Sequence, residues 1–561
     1  MYGFILAAAL LTGDVIERDI IVYGSSPAAI TTAVQAQRMG KTCVIVSPET
    51  RIGGLTTGGL GQTDIGNKSA FGGLALAFYR DVARYYRDER NWTRQARSEY
   101  FPDGQCAGSK GADSMWTFEP SAALKILEGW ETTYGLEIHR GVRLDRAKVH
   151  VRAETDARHR RIASFMTLDG RTYRGKMFVD ATYEGDLMAA AGVSYSIGRE
   201  CNEVYGETIN GCQPDARGSN HHNFMTNVSA YVVAGDKSSG LLPGVEPYDP
   251  SEKTGAGDKR VQAYCFRMCL TDCPENRIPF AKPEGYDERD YELLFRNFEE
   301  QLRQGVSFDD PWGAGGLPWI NSKMPNRKTD TNNRTAFSSD FIGRNWRWPE
   351  ASYEEREAIL KAHLRYQQGL MWSLANHPRV PKAIREIVSQ WGTCRDEFTD
   401  GLGHGWQRQL YVREARRLIG SYVMTEHHCR GSVIAPHPVA MGAYGMDSHH
   451  CRRVETADGF VRNEGNVEDY LASDGSSRFP PYGIDYGALI PKAEECENLL
   501  VPVCLSASHI AYGSIRMEPV FFALGQVSGT AAALAIESDL PVQAVDYAKL
   551  AKRLKADGQI F

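Results

Sequence analysis

Asp19-Ile-Ile-Val-Tyr-Gly-Ser-Ser-Pro-Ala-Ala-Ile30, running on to Gly40-Lys-Thr-Cys-Val-Ile-Val-Ser47, decides the fold. Ile20–Tyr23 is a short apolar run rich in β-branched residues, which suits a parallel strand buried on both faces. Gly24 permits a tight turn, Ser26 is placed to cap a helix, and Pro27 fits the first helical position. Ile30, Ala33 and Val34 share one face of that helix. Gly40 stands where a left-handed residue ends it, and Cys43–Val46 is a second buried strand. This is a βαβ unit of about 30 residues, of the dinucleotide-binding type. At Gly24, Ser25, Ser26, Pro27 and Ala28 it offers a pyrophosphate free amides and the positive end of a helix dipole.

The unit departs from G-x-G-x-x-G at two points: Ser26 replaces the second Gly, and Ala29 the third. Ser26 brings a Cβ where phosphate should approach, offset by a hydroxyl able to bond it. The second strand ends on Ser47 instead of the acid that holds ribose hydroxyls. Pro48 and Glu49 follow, and Glu49 takes that role only if the loop is shifted. Arg51-Ile-Gly-Gly-Leu-Thr-Thr-Gly-Gly-Leu60 then sets four glycines where the backbone must lie against something flat or take a positive φ.

On these residues the chain resembles FAD-dependent oxidoreductases with two dinucleotide-binding motifs, the fumarate-reductase- and glutathione-reductase-like flavoproteins. In that family such a loop, here Gly53, Gly54, Leu55 and Thr56, runs along the flavin. Met177-Phe-Val-Asp-Ala-Thr-Tyr-Glu-Gly-Asp186 resembles the second FAD motif, which implies Asp180, Ala181, Thr182 and Asp186 at the cofactor. The end of the chain carries a strand and small-residue turn through Ser506, then an Ala-rich helix from Val520. In the family this element closes over the flavin. The resemblance implies that Ser506, Gly525 and Gln526 contact the ring, with the helix N-terminus stabilising its reduced form.

The implied fold is α/β: a Rossmann-like FAD-binding domain with a parallel sheet and β-meander, plus an inserted α+β substrate domain. Residues 142–175 alternate apolar and polar around Asp169-Gly170, a hairpin signal for the meander. Residues 1–18 read either as a leader of an exported protein, with Phe4–Leu11 as its short apolar segment, or as a ragged start of a cytoplasmic one, since no Lys or Arg precedes that segment; we expect a discontinuous FAD domain at 19–196 and 480–561, and the insertion at 197–479. A formal net charge of −6 with no basic run speaks against a nucleic-acid partner. No stretch approaches the ~20 apolar residues of a membrane span. The expected partners are a small-molecule substrate and an electron acceptor that the sequence does not specify. No second βαβ fingerprint is present to hold NAD(P)H.

Within the insertion, Met324–Asn333 is strongly polar, and Asn345-Trp-Arg-Trp348 adds aromatic faces; this composition suits sugars and polyols, or a solvated loop. The segment Gln407–Gly420 resembles the Arg-Glu-x-Arg-Arg helix of the family. Its Arg413 and Arg416, with Arg516, are candidate substrate positioners. Cys265, Cys269 and Cys273 recur every four residues, which is not the C-x-x-C spacing of metal sites. His427-His428-Cys429 and His449-His450-Cys451 invite a metal, but adjacent histidines diverge on any regular element, so no metal is assigned. A histidine base is better motivated, since imidazole takes a proton near neutral pH. His449 and His450 are the candidates, with His509 and Tyr512, in the loop before the closing helix, in reserve. The expected reaction is oxidation of a CH–OH group, with a carbohydrate or polyol as substrate. Two alternatives stand beside it: reduction of a C=C or C=O bond, and a non-catalytic carbohydrate-binding scaffold, for which Ser26 and Ser47 speak.

Overall fold

Val15–Tyr23 (β1) is the central strand of the main sheet, and its apolar half, Ile20, Ile21 and Val22, is fully buried. The structure is a computed structural model that describes residues 14–102, 113–153, 160–214, 222–310, 316–469 and 480–561. On one side β1 pairs in parallel with Cys43–Val46 (β2), from Ile20↔Cys43 to Tyr23↔Val46, and β2 with Glu137–His139 (β3). Leu144–Ala153 (β4), Arg160–Thr167 (β5) and Thr172–Asp180 (β6) form the expected antiparallel meander, with Gly170 at φ +90° in the last turn. On its other side β1 runs parallel to β6 over its whole length, from Val15↔Thr172 to Tyr23↔Asp180. Residues 15–18 therefore belong to the sheet, which corrects a leader extending to 18; Phe4–Leu11 lies outside the described residues. Near the end of the chain Leu499–Leu500 (β7) pairs in parallel with Phe178 and Val179 of β6, so the last segment returns to the sheet the first segment built.

Helices Pro27–Arg38 (α1), Gly54–Thr57 (α2), Gly73–Tyr85 (α3), Pro120–Tyr134 (α4), His509–Ile515 (α5) and Glu518–Ser538 (α6) surround this sheet. The α1–α6 contact is close because Gly525 has no side chain. A Cβ there would lie 2.2 Å from Thr31 Oγ1 and 2.3 Å from the Ala28 carbonyl oxygen. Thr32 Oγ1 donates to the Gly525 carbonyl across the same contact at 3.0 Å. By length and composition α6 is apolar enough to cross a membrane, a length the sequence reading did not credit to any stretch, yet 89% of its most apolar window is buried inside the protein. It is a core helix.

Two readings of the middle of the chain are corrected. The polar run 324–333 is the turn and second strand of a hairpin within a five-stranded antiparallel sheet ordered 277–279, 392–394, 269–271, 328–333, 319–324. Asn326 and Arg327 turn it at φ 64° and 60°, and Lys328, Thr329, Asp330 and Thr331 are buried, so the run is neither a solvated loop nor a sugar platform. Lys328 Nζ is held at 2.8–2.9 Å by Glu119, Asp396 and Glu397. Gln407–Gly420 is not helical: Arg417–Leu418 pairs with Tyr195–Ser196, and the rest is irregular chain. Its buried Arg413, Arg416 and Arg417 pair with Asp340, Asp186 and Glu200 respectively, and Glu414 sits between Arg417 and His509. The evenly spaced cysteines do not cluster: Cys269 faces Cys394 at 3.7 Å, and Cys273 bonds Glu275.

Gly525→Val should cost about 1–3 kcal/mol, because the added atoms overpack a helix contact with no slack. Chemical denaturation measures it, and an unchanged midpoint would show that α1 and α6 separate without penalty.

Candidate active site

A cleft opens at the C-terminal ends of β1, β2 and β6, where ligands of open parallel sheets bind. Ser25, Pro48, Glu49, Thr182, Glu184, Trp348 and Arg408 line it. Gly24, at φ +139°, makes it possible: a Cβ would stand 2.4 Å from Ala181 C and O, so only glycine lets the first turn lie against the end of β6. Ser26 does not cap α1. Its hydroxyl donates to the Ala181 carbonyl at 2.6 Å, which ties the two motifs together and leaves the first-turn amides without a side-chain cap. Ser47 Oγ donates to the Glu49 carbonyl at 2.6 Å, and that bond supplies the loop shift that sets Glu49 on the cleft, 3.3 Å from Arg408 Nε. Burial raises the Glu49 carboxyl and Arg408 opposes the rise.

The glycine-rich loop continues from this cleft. Gly53 and Gly54 take φ +87° and +51°, and the Gly53 amide donates to the Ser25 carbonyl at 2.7 Å. Tyr183 Oη accepts from the Leu55 amide and donates to Glu518, which also accepts from the Thr56 amide and hydroxyl. Farther along, Gly59 abuts the Arg267 carbonyl and Gly66 the Ala443 carbonyl.

Beyond the loop lies a buried polar cluster built around Tyr411. The guanidinium carbons of Arg413, Arg516 and Arg267 stand 4.5, 5.8 and 5.9 Å from its ring centroid. Asp340 is shared: Arg413 pairs with Oδ1 at 2.9 Å, and His449 Nδ1 meets Oδ2 at 2.7 Å. Burial would raise Asp340, but Arg413 and His449 hold it well below the carboxylate range. Burial, then Arg413, lowers His449 to about 3, so its imidazole is neutral at ordinary pH. With Nδ1–H donated to Asp340, the Nε2 lone pair is left free to accept a proton. Asp447, 3.9 Å from that Nε2 and 3.5 Å from Arg516, is pushed up to about 7 by burial.

The residues fit FAD: a glycine turn that excludes any side chain, first-turn amides of α1 without a side-chain cap, an acid on the cleft, and a loop with two left-handed glycines. The chain belongs to the FAD dependent oxidoreductase family, whose pattern it matches over residues 19–554. It is thus an FAD-dependent oxidoreductase with FAD as cofactor. A search of curated protein sequences gives no match. Among solved structures, local likenesses are found to a flavin-containing monooxygenase from Stenotrophomonas maltophilia (16% identity, TM-score 0.18) and an anhydrotetracycline hydroxylase from Streptomyces rimosus (13%, 0.21). A 3-ketosteroid-Δ4-(5α)-dehydrogenase from Rhodococcus jostii is a third (14%, 0.20). The matched region is 33–37% of this chain and 36–50% of those proteins.

Several expected residues of the flavoenzyme take other positions. Gly525 and Gln526 are not at a helix N-terminus, because α6 begins at Glu518; Gly525 serves the α1 contact, and Gln526 Oε1 accepts from the Leu74 amide. Asp180 Oδ1 accepts from the Thr182 amide and hydroxyl and Oδ2 from the Met188 amide, so it braces the turn, with burial raising it to about 6. Asp186 lines the cleft, but Arg356, Arg416 and Arg146 take its carboxylate; they overcome burial and hold it at about 2. Arg416, bonded to Asp186 and Glu350, is consequently apart from Arg413 and Arg516. Ser506 Oγ accepts from the Gly420 amide. His509 and Tyr512 lie on α5, not in a loop. His509 is held between Glu414 and Ser448 Oγ, and Tyr512 donates to the Val503 carbonyl. His450 is buried near His222 and lowered to about 3 by burial, then by His222. His428 bonds Tyr422 and Thr425, and His427 is half-buried with Nε2 3.1 Å from the Gly206 carbonyl oxygen. Among the described residues no three His, Cys, Asp or Glu side chains gather as a metal site.

The sequence reading missed Arg408, Asp340, Tyr411, Asp447 and Glu518. Only Glu518 carried a signal, since an acid followed by Pro519 marks a helix start.

Gly24→Val should abolish FAD retention while far-UV circular dichroism stays close to that of the parent. A variant that purifies with full visible flavin absorbance would remove the first turn from the cofactor site.

Proposed function

We propose that this flavoenzyme oxidises a CH–OH group of a small polyhydroxylated substrate, with His449 as base. The single observation that carries the reading is the buried pair His449–Asp340 at 2.7 Å, whose carboxylate is also fixed by Arg413. That arrangement holds imidazole in one tautomer, with Nε2 on the side of Asp447 at 3.9 Å. In the reaction the O–H and C–H bonds of the substrate break and a C=O bond forms. His449 Nε2 receives the proton, and its Nδ1–H bond to Asp340 stabilises the imidazolium. Bound FAD supplies the two-electron sink. Arg516 and Arg413 position the substrate, and the stretch 197–479 contributes most of its surroundings.

The pH expectation differs from that of an ordinary histidine. With the His449 ionisation lowered by burial and Arg413 to about 3, no rise in rate through pH 6–7 belongs to it.

His449→Gln should slow anaerobic flavin reduction by roughly 10²–10⁴-fold with the visible spectrum intact, the range of general-base catalysis. Asp340→Asn should slow it too, whereas His427→Gln and His428→Gln should react as the parent does. Reduction at the parental rate by His449→Gln would sink the assignment.

NADH and NADPH should fail to reduce the flavin at micromolar concentration, since the chain carries one βαβ fingerprint. Rapid saturable reduction in stopped-flow would overturn this.

A further inference from the structure

Arg267, Arg413 and Arg516 surround one tyrosine ring, yet only Arg267 is fully matched. It makes a two-point pair with Asp330 at 2.7 and 2.8 Å and a bond to Asn332 at 3.1 Å. Arg516 is 4% exposed and donates to two neutral oxygens, Tyr411 Oη at 2.8 Å and the Asp447 carbonyl at 3.0 Å. Among the described residues its ion-pair partner is the Asp447 carboxyl at 3.5 Å, a group that burial biases toward its neutral form. Arg413, 1% exposed, donates to the Ala263 carbonyl and Cys265 Sγ and shares Asp340 with His449. The Nε–H groups of Arg413 and Arg516 are buried and unpartnered, as is Gln262 Nε2, whose Oε1 accepts from the His449 amide. Leaving buried cationic donors unmatched is costly, and a planar guanidinium fork matches a carboxylate. His449 and Asp447 each keep 11% of their side-chain surface open, which marks the accessible side of the cluster.

We propose that Arg516 and Arg413 bind a carboxylate of the substrate, so that the molecule presented to His449 is a hydroxy acid of the sugar-acid class and not a neutral polyol. The inference rests on the oxidation reading and names its substrate class. Aspartate 447 is the built-in competitor. Its charge is faced by Arg516, Arg413, Glu468, Asp64 and His449, and when it ionises above about pH 7 it neutralises the guanidinium that the substrate needs.

The test titrates FAD-loaded protein with gluconate and glucuronate against sorbitol and glucose at constant ionic strength, following perturbation of the oxidised flavin spectrum. The carboxylates should bind at least about tenfold more tightly, the worth of one charge-assisted hydrogen bond. Arg516→Met should erase that preference, and Arg516→Lys should restore part of it. Carboxylate affinity should fall between pH 6 and 8 in the parent and stay level in Asp447→Asn. Equal affinity for charged and neutral members in the parent overturns the proposal, and this comparison needs no variant to fold. A preference that survives both Arg516→Met and Arg413→Met also overturns it. Carboxylates that bind preferentially but never reduce the flavin support the clamp and defeat the oxidation reading. Neutral polyols that reduce the flavin with no advantage for acids do the reverse.

Discussion

The close approach of Gly24 to Ala181 is the constraint on which the rest of the structure depends. It joins the end of β1 to the end of β6, segments more than 150 residues apart, with no room for a side chain between them. Because the two strands end together, the cleft at their tips has one floor. Because the Ser26 hydroxyl is spent on Ala181, the amides opening α1 are left for a ligand. The same α1 is then gripped from behind by α6 at Gly525, so the last helix clamps the first. Nucleotide site and C-terminal segment are thereby held in one rigid arrangement.

Charge burial is the second organising term. Arg199, Arg267, Arg356, Arg413, Arg417, Arg452 and Arg516 are all nearly or fully buried, and most are matched by carboxylates on distant segments. A pair of that kind adds little net stability, since desolvation offsets attraction, but breaking one partner is expensive. Such pairs therefore fix which segments meet. They also single out Arg413 and Arg516, whose matching is incomplete, as the part of the network built to receive something.

What the sequence made legible follows from locality. The βαβ unit, the glycine loop, the hairpin at Gly170 and the meander are encoded by neighbours within a few turns, and they stand where expected. Asp340 and Tyr411 were not legible, because their meaning comes from contacts with His449 and Arg516 roughly 100 residues away. Gln407–Gly420 was read as a helix from its resemblance to an arginine-rich helix of the family; the segment is instead mostly irregular chain whose Arg413 and Arg416 pair with the distant Asp340 and Asp186. The polar run at 328–331 was read as surface, yet Lys328 is surrounded by three carboxylates and Asp330 pairs with Arg267, so its polarity is satisfied inside. The Ser26 and Ser47 departures looked like decay of a nucleotide fold. Their hydroxyls instead bond Ala181 and Glu49, which keeps the turn and the loop in working shape without the usual residues.

The start of α6 shows how the two halves of the site communicate. Glu518 is the first residue of that helix, and burial, opposed by Thr56 and Tyr183, raises it to about 7. It bonds the amide and hydroxyl of Thr56 and the hydroxyl of Tyr183, which itself takes the Leu55 amide. The amides that open α2 are thus satisfied by protein groups, so the glycine loop is pinned to α6 and to the β6 motif. Arg516 lies two residues before Glu518. One short segment therefore holds both the acid bonded to the glycine loop and the guanidinium bonded to Tyr411.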